Sequence, residues 1–326
     1  MLASDDACRP KENATAAGLE PPARIVFIHL GRRLPGHLPV ALGQAVLFSG
    51  GPVTLVAERR ALRRTRLPAG VEPVSCERLG LSPRHRRFRR ESRLDRSFRE
   101  GFVAHATERF FYLESLMRAS RPGDVLHLES DVMLYAGVES LQPVLRAAFP
   151  HVAATFSAPS HCIPGVVYVR RADAMAPLLE TLLALAADDS RVWNDMWMLA
   201  EYRRLHPDLI GRLPIVTPDY PGELRSLVDP AAQPLADYSA LAEEFGGVFD
   251  AAALGQYLGG VDPRNSRGAD TRGFVNEHHV FDPSRYGHGW ETDAAGRRVP
   301  YIATGRRRWR ALTLHVHSKD LVRFAS

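Results

Sequence analysis

Residues 124 to 135 read Asp124-Val125-Leu126-His127-Leu128-Glu129-Ser130-Asp131-Val132-Met133-Leu134-Tyr135, an apolar run with two carboxylates separated by one residue in its middle. Strands have a period of two, so an extended backbone sends His127, Glu129 and Asp131 to one face. A buried pair of acids needs compensating positive charge. A divalent metal supplies it, and oxygen ligands of this type suit Mn²⁺ or Mg²⁺, which keep waters and complete their shell with substrate phosphates. The plainer alternative is a strand end whose acids face solvent or pair with arginine.

The elements on either side make this run part of an α/β domain. Ala23 to Leu30 reads as a fully buried strand, Leu38 to Phe48 has helical spacing, Gly50-Gly51-Pro52 breaks it, and Val53 to Ala57 is a second apolar strand. Ala104 to Met117 reads as an amphipathic helix leading into the acidic strand. Strand, helix, strand order implies a parallel sheet, and ligands of open α/β sheets bind outside the carboxyl ends of the strands, where these acids fall. Further on, Val152 to Phe156 and Val166 to Val169 read as strands, and Ala174 to Ala187 as a leucine-rich core helix. Trp193-Asn194-Asp195-Met196-Trp197 opens another helix. Its Asn-Asp pair is either a helix cap or an acid presented to a ligand.

A second polar element lies in Leu312-Thr313-Leu314-His315-Val316-His317-Ser318-Lys319. Strand alternation puts Leu312, Leu314 and Val316 on one face and Thr313, His315 and His317 on the other, with a lysine two residues beyond that can reach a phosphate. Lys319 is one of only two lysines in the chain, the other being Lys11. A lone His-x-His usually has no metal; beside an upstream carboxylate strand it becomes a candidate ligand pair.

Composition narrows the classes. The 326 residues, 45% hydrophobic and 8% aromatic, suit a globular protein with a substantial core. No apolar run approaches the roughly 18 residues needed to span a bilayer, and Met1 to Pro22 lacks a signal-peptide pattern and reads as a disordered tail. Three dispersed cysteines, Cys8, Cys76 and Cys162, form neither a disulfide framework nor a zinc site and point to a reducing compartment, the cytoplasm. The net charge of +5 concentrates in Arg84 to Arg99. That segment reads as a solvated arginine-rich loop, as a contact to an anionic substrate or lipid-linked acceptor, or, least favoured, as a nucleic-acid contact.

In the order of its elements the chain resembles the glycosyltransferases of the GT-A fold, and among them the glycogenin-like and lipopolysaccharide galactosyltransferase-like group. The resemblance rests on Ile25 to Leu30, Arg109, Glu129-Ser130-Asp131, Pro164-Gly165-Val166, Asn194-Asp195 and His315 to Lys319, spanning Ala23 to Ala200 and the last dozen residues. It implies a Rossmann-like mixed sheet flanked by helices in one main domain, with a nucleotide-sugar-binding core over 23–200, an acceptor-side region over 201–311 and a C-terminal strand over 312–326 that returns to the metal site. It implies Mn²⁺ or Mg²⁺ held by Asp131, Glu129, His317 and His315, in that order for the acids and for the histidines. Arg109, Lys319 and Ser130 would bind the cofactor side, and Asp195 and Asn194 would be catalytic.

The implied reaction is hexosyl transfer from a nucleotide diphosphate sugar, with uridine diphosphate as the family's nucleotide, to a glycan, lipid-linked or small-molecule acceptor. A bacterial-like, cytoplasmic enzyme peripheral to the anionic inner face of a membrane through Arg84 to Arg99 is the matching expectation. The chain departs from the family where Glu129 replaces the leading Asp, where Pro164-Gly165 lacks an asparagine, and in the short His-x-His-Ser-Lys spacing. Asp250, Gln256 and Tyr257, in a glycine-rich stretch without a family counterpart, offer hydrogen bonds and stacking to a sugar, or simply pack a helix hairpin. Two other classes compete: a metal-dependent hydrolase built on the same histidines and acids, and a non-enzymatic polyanion-binding protein built on the arginines.

Overall fold

The structure is a computed structural model that describes residues 22–120 and 123–326. The expected N-terminal tail, with Cys8 and Lys11, lies outside the described residues except for Pro22.

The strands, in chain order, are β1 Arg24–His29, β2 Val53–Ala57, β3 Val71–Ser75, β4 Val125–Leu128, β5 Val132–Leu134, β6 Val152–Ala158, β7 His161–Val169, β8 Ile210–Arg212, β9 Gly247–Val248, β10 Gly287–Thr292, β11 Arg298–Thr304, β12 Arg307–Ala311 and β13 Thr313–His315. Seven of them form one sheet in the order β3-β2-β1-β4-β7-β6-β8. β1 runs parallel to both β2 and β4, as the strand, helix, strand order implies. The sheet becomes mixed at β7, which pairs antiparallel with β4 and with β6. The short turn between β6 and β7 makes this a hairpin, whose strands must run oppositely.

Both faces of the sheet are covered, which is why the central strands are apolar on both sides. One face packs against helices Leu38–Ser49 and Val138–Ala148 and the C-terminal strands. The other packs against helices Phe102–Ser120, Met175–Ala187 and Asp195–Leu205. Among the described residues no helix is long and apolar enough to cross a membrane.

Two local expectations are corrected. The 124–135 run is not one strand: a tight turn, closed by the Val132 N–H donating to the Glu129 carbonyl oxygen at 3.1 Å, separates β4 from β5. The acids therefore sit in a turn, and His127 is left behind in the core with its Nδ1 2.9 Å from the Val26 carbonyl oxygen. The arginine-rich stretch is not a loop at its start but the helix Pro83–Glu91, with Ser82 capping and Pro83 in the first turn. His85 and Phe88 anchor it on the core. Its arginines are mostly paired: Arg84 with Glu114 and Glu180, Arg87 with Glu91, and Arg89 with Glu108.

Candidate metal centre at the carboxyl end of the fourth strand

The turn after β4 places Glu129 and Asp131 at the sheet's carboxyl edge, and β13 brings the third group to them. β13 pairs antiparallel with β5, setting His315 opposite Val132, and the Val316 N–H donates to the Asp131 carbonyl oxygen at 2.8 Å. His315 Nε2 then lies 3.2 Å from an Asp131 oxygen and 3.5 Å from a Glu129 oxygen. One ligand atom from each of Glu129, Asp131 and His315 falls within 4.8 Å of the others. Two backbone features permit the approach. Gly165, whose carbonyl oxygen accepts from the Glu129 N–H at 3.0 Å, faces the imidazole so closely that a Cβ there would lie 2.7 Å from His315 Nδ1. Asp250 fixes β13 from behind by accepting from the backbone N–H groups of His315, Leu254 and Gly255 at 2.9, 2.9 and 2.8 Å.

Two cations and an imidazole face the acids. Lys319 forms an ion pair with Asp131, and it does so from a left-handed backbone (φ 64°) that a non-glycine residue adopts only at a cost of about 1 kcal/mol or more. Arg109, buried in the helix Phe102–Ser120, forms an ion pair with Glu129 through one guanidinium nitrogen and with Asp195 through another at 2.9 Å. His315 completes the set. Burial works against ionising Asp131, yet Lys319 and His315 hold it well below the usual carboxylate range. Glu129 is lowered in the same way by Arg109 and His315. Burial alone would depress His315, but the two carboxylates raise it above its ordinary value.

The donor set suits the expected metal. Two carboxylate oxygens and one imidazole nitrogen converge, and both acids are already in their ionised form, as a hard divalent cation such as Mn²⁺ or Mg²⁺ requires. His317 stands outside this group: its ring is 5.1 Å from that of His315 and its Nδ1 is 3.0 Å from the Gln256 side-chain nitrogen. Burial, reinforced by His315, lowers His317 to about 4, so it is neutral near pH 7. Of the two candidate histidines, the structure brings His315 to the acids.

The remaining expected residues fall around this centre. Asp195 begins the helix Asp195–Leu205, and Asn194 caps it, its Oδ1 accepting from the Trp197 N–H at 2.9 Å. Burial raises Asp195 to about 6 against the opposing pull of Arg109. Ser130 Oγ lies 3.3 Å from Nε2 of His37, a residue the sequence reading passed over because nothing nearby marks it. Asp250 is committed to three backbone donors, and Gln256 also accepts from Asn276 at 3.3 Å, so these two groups build the site's support. Tyr257 lies against His288, ring centres 5.0 Å apart.

A separate cavity of about 470 Å³ opens where β1, β2 and β3 end. Leu30, Glu58 and Cys76, each the first residue after one of those strands, line it together with His105, Glu108 and Tyr112. Burial pushes the Cys76 thiol up to about 12, so it is no nucleophile.

No family model matches this sequence, and no curated protein matches it. Among solved structures it is similar to mouse xyloside xylosyltransferase 1 in its apo form, at 13% identity and a TM-score of 0.44 over 59% of this chain and 85% of that one. It is similar to the galactosyltransferase LgtC in complex with donor and acceptor sugar analogs at 12% identity and a TM-score of 0.39, over 59% and 73% of the two chains. It is also similar to the glycosyltransferase GlyE of Streptococcus pneumoniae, at 13% identity and a TM-score of 0.36 over 60% and 45%.

Proposed function

We propose that this chain is a metal-dependent glycosyltransferase that moves a hexosyl group from a nucleotide diphosphate sugar, with uridine diphosphate as the first choice of nucleotide, to a hydroxyl of an acceptor held by residues 201–311. The observation that carries the reading is the meeting of Glu129, Asp131 and His315, with Lys319 alongside, at the carboxyl edge of a doubly covered α/β sheet.

Glycosyl transfer breaks the bond between the anomeric carbon and a phosphate oxygen and forms one to the acceptor oxygen. Its difficulty is negative charge gathering on the departing diphosphate. Glu129, Asp131 and His315 would hold Mn²⁺ or Mg²⁺, which when bound supplies a Lewis acid for that charge. Lys319 adds a cation beside Asp131, 28% exposed at its side chain and so accessible to a phosphate. Arg109 is a positioning residue: with both ends of its guanidinium on carboxylates it locks Glu129 and Asp195 relative to each other. Asp195, ion-paired with that arginine, would be the acid on the donor-sugar side. The cavity at the ends of β1 to β3 is the natural seat for the nucleoside, its carboxylates suiting ribose hydroxyls.

Calorimetric titration with UDP in the presence and absence of Mn²⁺ tests the reading. Metal-dependent binding that Asp131→Asn removes supports it, and binding indifferent to metal and to that substitution overturns it.

A further inference from the structure

Several arginines among the described residues have no acid beside them, and three of these fall together on and next to one strand. β12 runs Arg307-Arg308-Trp309-Arg310-Ala311 after the turn residues Gly305 and Arg306. Period two sends Trp309 and Ala311 to the core, where both are buried, and puts Arg308 and Arg310 on the outward face about 7 Å apart, with Arg306 in the turn that precedes them. Arg307, on the inward side, pairs with Glu243 and stacks on Trp309. Among the described residues no carboxylate lies within ion-pair distance of Arg306, Arg308 or Arg310.

Arg306 and Arg308 line a recess of about 380 Å³ together with Gly287, His288, Tyr301, Ala303 and Gly305, with no acid in its lining. Arg308 is held ready: its guanidinium stacks on Tyr301, 4.7 Å from the ring centre. Tyr301 in turn lies across Gly289 on the neighbouring strand, where a Cβ would collide with the ring. A guanidinium fixed in this way keeps its N–H fork free for a bidentate anion.

The same geometry decides among anionic partners. A nucleic acid strand needs open aromatic faces for its bases, but Tyr301 is already taken up between Gly289 and Arg308. A lipid surface needs apolar side chains among the cations to insert, but this face offers glycine and alanine, and Trp290 and Trp309 point inward to the core. A compact anion carried on a hydrogen-bonding body fits both the recess and the row.

We infer that the outward face of β12 binds an anionic saccharide, and that this saccharide is the acceptor of the transfer reaction, the second half resting on the function proposed above. β12 leads within one residue into β13 and His315, so the row lies on the strand that continues directly into the one bearing the centre's imidazole. The fork accepts carboxylate, sulfate or phosphate alike, so the charged group is to be distinguished by experiment.

Calorimetry of the full chain with four probes makes the test: a tetrameric uronate, a sulfated tetrasaccharide, a phosphorylated tetrasaccharide and neutral maltotetraose. At least one charged probe should bind and the neutral one should not. The double variant Arg308→Ala/Arg310→Ala should weaken that binding about tenfold or more, since a charge-assisted bond is worth about 1.5 to 3 kcal/mol. Arg308→Lys, which keeps the charge and loses the fork, should fall between, with unchanged melting in both variants. Binding of no charged probe, binding unaffected by the double variant, or equally tight Arg308-dependent binding of single-stranded RNA or phosphatidylglycerol vesicles overturns the inference. Arg308-dependent saccharide binding in a chain that shows no metal-dependent UDP binding keeps the site and overturns its assignment to an acceptor.

Discussion

Lys319 and Asp131 form an ion pair across 188 positions of sequence. The pair sits on the rim of the candidate metal centre, so Asp131 is asked to satisfy both a lysine and a ligand cation. Asp131→Asn should lower Mn²⁺-dependent affinity for UDP by ~10²-fold while leaving the sheet intact, because it removes a charged ligand but no core volume. Retained affinity with an unchanged circular dichroism spectrum would exclude Asp131 as a ligand.

Arg109 is the larger structural risk. Arg109→Ala leaves the buried Asp195 and the adjoining Glu129 without their shared cation, and breaking a buried pair from one side costs about 3 to 5 kcal/mol. The double variant Arg109→Ala/Asp195→Asn should recover part of that loss. Chemical denaturation of the two variants and the wild type measures it, and equal loss in single and double variants contradicts the coupling.

Gly165→Ala probes the centre without touching a ligand. The added methyl meets His315 Nδ1, so the imidazole must shift away from the acids. Overpacking of this kind costs about 1 to 3 kcal/mol, and Mn²⁺ affinity should drop in parallel. A variant that loses stability but binds Mn²⁺ as the wild type does would show that His315 is not needed for the ion.

The raised acid of Asp195 gives a pH signature. Between its ordinary value near 3.8 and about 6 the folded chain retains a proton that the unfolded chain has released. Folding is therefore favoured on the acid side, and this contribution is lost as pH rises through about 6. Relative to Asp195→Asn, the wild type should lose up to about 3 kcal/mol between about pH 4 and pH 7. Parallel stability curves for the two proteins across that interval would refute the assignment.

The sequence carried the inner strands β1, β2, β4, β6 and part of β7 and both polar elements of the site, because apolar runs and period-two alternation are local signals, whereas the edge strands β3 and β8 went unread. It placed Glu129, Asp131, His315 and Lys319 together only through a resemblance, since no local rule brings β13 to β5. Most of what it missed was non-local. The antiparallel entry of β7 depends on a hairpin closing at 159–160, inside the gap left between the strands read over 152–156 and 166–169. The double engagement of Arg109 depends on three elements meeting. The helix at Pro83–Glu91 was masked by its charge, although Ser82-Pro83 is an ordinary helix start and His85 and Phe88 share its inner face. Gly165 was noted only for lacking an asparagine, whereas its missing Cβ is what lets His315 in.

The long interval between β5 and β13 also has a consequence in time. Chains emerge from the ribosome at roughly 5 to 20 residues per second, so Asp131 waits about 10 to 40 s for His315 to follow it. During that interval all seven strands of the main sheet become available while the two carboxylates stand without their imidazole and lysine. A nascent or proteolytically clipped chain that ends anywhere between β8 and β13 therefore retains the strands of the sheet and lacks a complete centre, which makes the centre a reporter of translation through residue 319.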